Sequence, residues 1–160
     1  MKILIVQDHL RSGGTERQSI LLANAFSATG HTAGLLTFRP GGALDSTVSS
    51  SVKRWLLQKS DSGLDWFAPG LSAAVRQFRP DIILCMGRMA NCRAASLRNT
   101  YAGAAVVATM RTGKSLPWLF RRGLRVAQHV VANSHQAQSL LVSRYGIPAT
   151  KISVIYNSLI

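Results

Sequence analysis

Short, continuous apolar runs recur along the chain, and between them apolar positions return every three or four residues. Ile3-Leu4-Ile5-Val6 is too short for a helix and rich in β-branched residues, which predicts a strand buried on both faces. Residues 15–29 place Gln18, Leu21, Leu22, Ala25 and Phe26 at helical spacing and stop at Gly30. Residues 33–38 form the next strand, ended by Arg39-Pro40-Gly41-Gly42. Strand, helix and strand in that order make a βαβ unit with parallel strands and a right-handed crossover. The same alternation continues: a strand at 52–57, a helix at 64–78 stopped by Arg79-Pro80, a strand at 81–86 and a helix at 90–97. A strand at 105–109, a helix at 116–128, a strand at 129–132, a helix at 136–145 and a strand at 152–156 complete the series. The expected fold is therefore α/β: a Rossmann-like, doubly wound, mostly parallel sheet of about seven strands with helices on both faces.

The loop leaving the first strand is where this pattern predicts chemistry. Gly13-Gly14 stands directly ahead of a helix, and Thr15 and Gln18 have capping-box spacing. Backbone N–H groups at a helix start, with glycines that let a ligand come close, favour phosphate or carboxylate. A Gly-Gly that only turns the chain remains the competing reading.

Length and composition narrow the classes. One domain of 160 residues with 47% apolar content can bury a core. No run reaches the ~18 apolar residues needed to cross a bilayer, and the start lacks the parts of a signal peptide, so a cytoplasmic protein is expected. Cys85 and Cys92 lack metal-type spacing and read as reduced core thiols, with no metal or cofactor expected. Charge changes the picture more. The formal net charge is +13; all six acids lie at or before Asp81, and ten Lys and Arg follow it. Such a field draws polyanions: nucleic acid, anionic lipid or phosphorylated small molecules. Of the acids, Asp8 and Glu16 alone sit beside the glycine loop, which leaves little material for paired-carboxylate or metal chemistry.

Two nucleotide motifs fail on inspection. The first loop has no third glycine at the dinucleotide offset and no acid closing the second strand; Arg39 stands there, which keeps open a ribose 2′-phosphate and hence a free-standing nucleotide-binding oxidoreductase domain. Met110-Arg111-Thr112-Gly113-Lys114-Ser115 lacks the earlier glycine of a P-loop. Arg111 itself is a permanent cation at the end of a central strand, where open α/β sheets hold their ligands, unless it is simply a solvated loop arginine. A basic nucleic-acid-binding module is a further alternative on charge, without interleaved aromatics or a helix-turn-helix to support it.

Taken in order, the motifs resemble the N-terminal domain of family-4, GT-B-type glycosyltransferases. Met1-Lys2-Ile3-Leu4-Ile5-Val6 resembles the family's opening strand, and Gly13-Gly14-Thr15-Glu16-Arg17 its Gly-Gly-x-Glu-Arg/Lys loop. Gly30-His31, Arg79-Pro80-Asp81-Ile82-Ile83, Val130-Val131-Ala132-Asn133-Ser134 and Lys151-Ile152-Ser153-Val154-Ile155-Tyr156-Asn157 are similar to later landmarks. Met110-Arg111 stands where many members have a histidine; a subgroup acting on amino-sugar polymers has Arg there, and the chain resembles that subgroup more, while Ser158-Leu159-Ile160 lacks the usual Asp. The resemblance implies half of a GT-B fold. Residues 1–160 would be the acceptor side of a retaining hexosyltransferase, with the nucleotide-sugar-binding domain expected after 160 and this chain, a fragment, inactive alone. The implied partners are a nucleotide-diphosphate sugar and a lipid-linked, lipopolysaccharide or polysaccharide acceptor, in envelope polysaccharide biosynthesis and without nucleic acid. Gly13, Gly14, Thr15, Arg88 and Arg111 would face substrate or diphosphate, with Arg111 stabilising charge.

The segment 116–128 adds a surface. On a helical projection Leu116, Leu119, Phe120, Leu124, Val126 and Ala127 gather on one side, and Trp118, Arg121, Arg122 and Arg125 on the other. Indole among arginines suits an anionic headgroup layer, so peripheral contact with a membrane is expected there, against the plainer reading of a solvated basic face.

Overall fold

The computed structural model describes residues 1–111 and 116–157. The Thr112-Gly113-Lys114-Ser115 motif and the Ser158-Leu159-Ile160 ending lie outside them. Seven strands form one all-parallel sheet in the order β3-β2-β1-β4-β5-β6-β7. They are β1 (Lys2–Gln7), β2 (Thr32–Thr37), β3 (Lys53–Leu56), β4 (Ile82–Cys85), β5 (Ala105–Met110), β6 (His129–Ala132) and β7 (Ile152–Val154). The helices are α1 (Gly14–Ala28), α2 (Leu71–Phe78), α3 (Arg88–Cys92), α4 (Ala94–Thr100), α5 (Trp118–Val126) and α6 (His135–Ser143).

Strand alternation divides the apolar residues between two faces. Ile5, Ala33 and Leu35 pack with Ile20 and Ala23 of α1, while Leu4, Val6, Leu36, Ile83 and Cys85 pack with residues of α2, α4 and α5. Between β1 and β4 the winding reverses. The loops leaving these two strands diverge there and open a crevice at their carboxyl ends.

Several expected boundaries move, each for a local reason. The helix expected at 64–78 begins at Leu71, because Pro69-Gly70 interrupts it and Gly70 sits at φ 71° as the N-cap. The helix expected at 90–97 is two, α3 and α4, joined at Arg93. The capping box is not at Thr15: α1 starts one residue earlier, with Gly13 as N-cap and no side-chain cap, so Thr15 lies inside the first turn. A side-chain cap does occur at α6, where Ser134 Oγ accepts from the Ala137 N–H at 3.1 Å. Leu119 leaves the apolar face assigned to it and is 49% exposed, next to Trp118.

Candidate functional site

The crevice is built from the ends of β1, β4 and β5. At the end of β1, Gln7 turns inward: its Oε1 accepts from the Asp8 N–H at 2.9 Å and its Nε2 donates to Ser19 Oγ of α1 at 3.1 Å. That bracket fixes the corner from which Asp8 projects. Both Asp8 oxygens are held by the start of α3, Oδ2 by the Met89 N–H at 2.9 Å and Oδ1 by the Ala90 N–H at 2.8 Å. Gly87 makes this approach possible, since a Cβ there would lie 2.3 Å from Asp8 Oδ1. Only 8% of Asp8 is exposed. Burial pushes its carboxyl up to about 6, although the two N–H bonds pull the other way.

From β5, the Thr109 N–H donates to Asn91 Oδ1 at 2.9 Å and its hydroxyl to the Cys85 carbonyl at 2.8 Å. Asn91 Nδ2 also donates to the Gly87 carbonyl at 2.8 Å, at the cap of its own helix, so Asn91 ties α3 to β5 and Thr109 ties β5 to β4. Arg111 follows β5. One guanidinium nitrogen donates to Asn157 Oδ1, and Nε is buried without a partner among the described residues. Burial lowers its pKa, yet an arginine remains a cation.

These groups face one cleft of about 450 Å³, whose lining includes Asp8, Thr15, Arg88, Asn91, Arg111 and Phe120. Thr15, Arg88 and Arg111, expected from the sequence, are thus brought together. Gly13 and Gly14 are beside the cleft and do not line it. The Glu16 carboxylate lies against Gly13, where a Cβ would stand 2.5 Å from Oε2, whereas a Cβ on Gly14 would meet open space. The free approach is therefore at Gly14. Asp8, Gln7 and Asn91 were not singled out from the sequence as site residues. Asp8 follows a central strand just as Arg111 does, and the rule that picks out Arg111 would have picked it out too.

Arg39 does not await a phosphate. Its guanidinium bonds Asp61 at 2.7 and 2.8 Å and Asp65 at 2.8 Å, and Asp65 also takes Arg11 at 2.7 Å. The 2′-phosphate reading falls with it. Both cysteines are free, and burial raises their thiols, Cys85 far above the usual range. Among the described residues no cluster of metal-ligating side chains occurs and no helix is long and apolar enough to cross a membrane.

Beside the cleft lies a second, more apolar groove of about 640 Å³, with Trp66, Met89, Cys92, Arg93, Trp118 and Leu119 in its lining. Of the residues expected at a membrane, Trp118, Arg121, Arg122 and Arg125 are all exposed. They stand at i, i+3, i+4 and i+7 of α5; Arg122 stacks over the Trp118 ring at 5.7 Å, and Arg125 donates to the Tyr145 carbonyl at 3.3 Å.

Residues 12–159 match the family model described as Glycosyltransferase Family 4. No curated protein sequence matches the chain. Among solved structures, HepE of Anabaena in complex with UDP-glucose is similar at TM-score 0.74 and 25% identity, over 99% of this chain and 44% of that one. A glycosyltransferase from Rickettsia africae gives 0.71 and 22%, over 97% and 42%. The lipopolysaccharide outer core galactosyltransferase WaaB gives 0.74 and 17%, over 99% and 46%, a likeness of fold. The chain spans less than half the length of each of these structures.

Proposed function

This chain belongs to glycosyltransferase family 4, and on that premise we propose that it is the acceptor-side domain of a retaining hexosyltransferase. The donor is a nucleotide-diphosphate sugar, bound mainly by polypeptide beyond residue 160; the acceptor is a saccharide or a lipid-linked saccharide. Family membership favours this reading over a basic nucleic-acid-binding module or a free-standing oxidoreductase domain. The donor class is supported by HepE, whose structure holds UDP-glucose.

The observation that carries the reading is the pairing of a half-buried cation, Arg111, with a buried carboxylate, Asp8, on the walls of one cleft at the sheet's switch point. As the bond from the anomeric carbon to the diphosphate breaks, its electron pair passes to the leaving oxygen. Arg111 is held by Asn157 before that charge appears, and its remaining N–H groups stabilise it. The new bond is formed by an acceptor hydroxyl, which the Asp8 carboxylate orients by accepting its hydrogen bond and whose proton passes to that carboxylate as the bond to the anomeric carbon forms. With its carboxyl pushed up to about 6, Asp8 is mostly ionised at neutral pH and close enough to that pH to exchange a proton. The backbone N–H of Gly14 supplies a further donor at the entrance.

Isothermal titration of UDP-glucose divides the labour between the halves. The 160-residue chain should bind at millimolar concentrations or more weakly and transfer no sugar, since one wall of a two-walled cleft makes few contacts. Micromolar binding by the chain alone would contradict that division.

A further inference from the structure

We propose that the apolar groove beside the cleft holds a single aliphatic chain that ends in a phosphate or diphosphate, the lipid anchor of the acceptor. The proposal rests on the sugar-transfer reading and specifies its substrate class. Trp66 is 57% exposed, Trp118 63% and Leu119 49%, and they come from two separate segments, the turn at 64–70 and the start of α5. Large apolar side chains gathered around a concavity and rimmed by charge mark a binding surface. The rim here is basic. Arg93 donates to the Trp66 carbonyl at 2.9 Å, which holds the turn in place, and Arg122 lies over Trp118. Neither pairs with a carboxylate among the described residues. Guanidinium groups without acids, next to indole and aliphatic surface, are complementary to an apolar chain with an anionic head.

Position supplies the link to chemistry. Met89 lines both the groove and the polar cleft, and the start of α5 separates them, Leu116 and Phe120 facing the cleft and Pro117, Trp118 and Leu119 the groove. A chain lying in the groove therefore delivers its polar end past Met89 toward Arg88 and Arg111. The concave shape favours one lipid molecule over a bilayer surface, and Arg125, engaged with Tyr145, lies outside the groove's lining.

Calorimetric titration of the 160-residue chain with decyl phosphate, kept below its micelle concentration, tests this. Saturable one-to-one binding is expected, at least ~10-fold tighter than for inorganic phosphate or decyl maltoside, and weakened at least ~10-fold by Trp118→Ala or Leu119→Ser with melting unchanged. Equal affinity for inorganic phosphate would mean an adventitious ion only. Binding to acidic vesicles without binding to the monomeric lipid would mean a membrane surface. Insensitivity to both substitutions would place the lipid elsewhere, and loss of binding in the complete gene product would mean that other polypeptide covers the groove. Each of these overturns the proposal. No sugar donor enters the assay, so its failure leaves the sugar-transfer reading standing, and failed transfer in the complete protein leaves the lipid result standing.

Discussion

The two halves of the sheet handle positive charge in opposite ways. Through Asp81 there are nine Lys and Arg with all six acids, and four ion pairs join Arg11, Arg39 and Arg54 to Asp45, Asp61 and Asp65. After Asp81 there are ten Lys and Arg and no acid. Arginines of that half bond to neutral oxygens instead: Arg93 to Trp66, Arg98 to Val126 and Arg125 to Tyr145 carbonyls, and Arg111 to the Asn157 side chain. A neutral acceptor orients a guanidinium without cancelling its charge. Three arginines of the first half therefore hold loops together through ion pairs, whereas the positive field of the second half is left uncancelled by acids.

The sharpest way to break this contrast is to remove what faces the ligand. In the complete protein, Arg111→Ala and Gly14→Val should each lower turnover by at least ~10²-fold, the scale for losing one preorganised charge-stabilising donor. Gly14 has open space around it, so the valine acts by blocking approach. Near wild-type turnover in folded variants would return both to ordinary loop roles.

Asp8 sharpens the contrast as the buried acid among the three, with Glu16 and Asp65, that line the cleft. Asp8→Asn should lower kcat/KM by about 10-fold, the loss of one hydrogen bond to a charged group. The wild-type profile should rise through pH about 6 and the variant's should not, an effect that a purely structural cap would not produce. Stability should carry the opposite trend. The folded-state carboxyl lies above its unfolded value of 3.8, so the folded state holds the proton more tightly between about pH 4 and 6. The contribution of Asp8 to stability is then greatest below pH 4 and falls by up to ~3 kcal/mol as pH rises through 6, a component of the slope that Asp8→Asn removes in chemical denaturation.

The smallest effect belongs to the paired half. Although partial burial pulls upward, hydrogen bonds from Arg39 and Arg11 hold Asp65 below the usual carboxylate range. Its contribution is present above pH 4 and lost as pH falls. Asp65→Asn should cost about 0.5–1 kcal/mol at neutral pH, the range for pairs that face water, and the cost should shrink in high salt.

How much of this was legible in the chain follows from the range of each interaction. Strand identity is written in local apolar runs, and β6 at 129–132 coincides with its expected span. The break at Pro69-Gly70 was also local, but Phe67 continued the helical spacing and masked it. Arg39, by contrast, reads as a free cation until Asp61 and Asp65 fold back on it, 22 and 26 residues away. Asp8 depends on N–H groups 81 and 82 residues distant. Trp66 and Trp118 meet across one groove only in three dimensions. Residue types at strand ends could be read from sequence; which charges are neutralised could not.

The most direct test sets Arg111→Ala against Arg39→Ala in the complete protein, measuring turnover of the nucleotide-sugar donor and melting temperature together. Sugar transfer at this cleft requires that Arg111→Ala lose at least ~10²-fold in turnover with little change in melting. Arg39→Ala should lower melting and leave turnover within about threefold, under ~1 kcal/mol on the barrier. Equal losses of turnover in both variants, or a larger loss in Arg39→Ala, would contradict it.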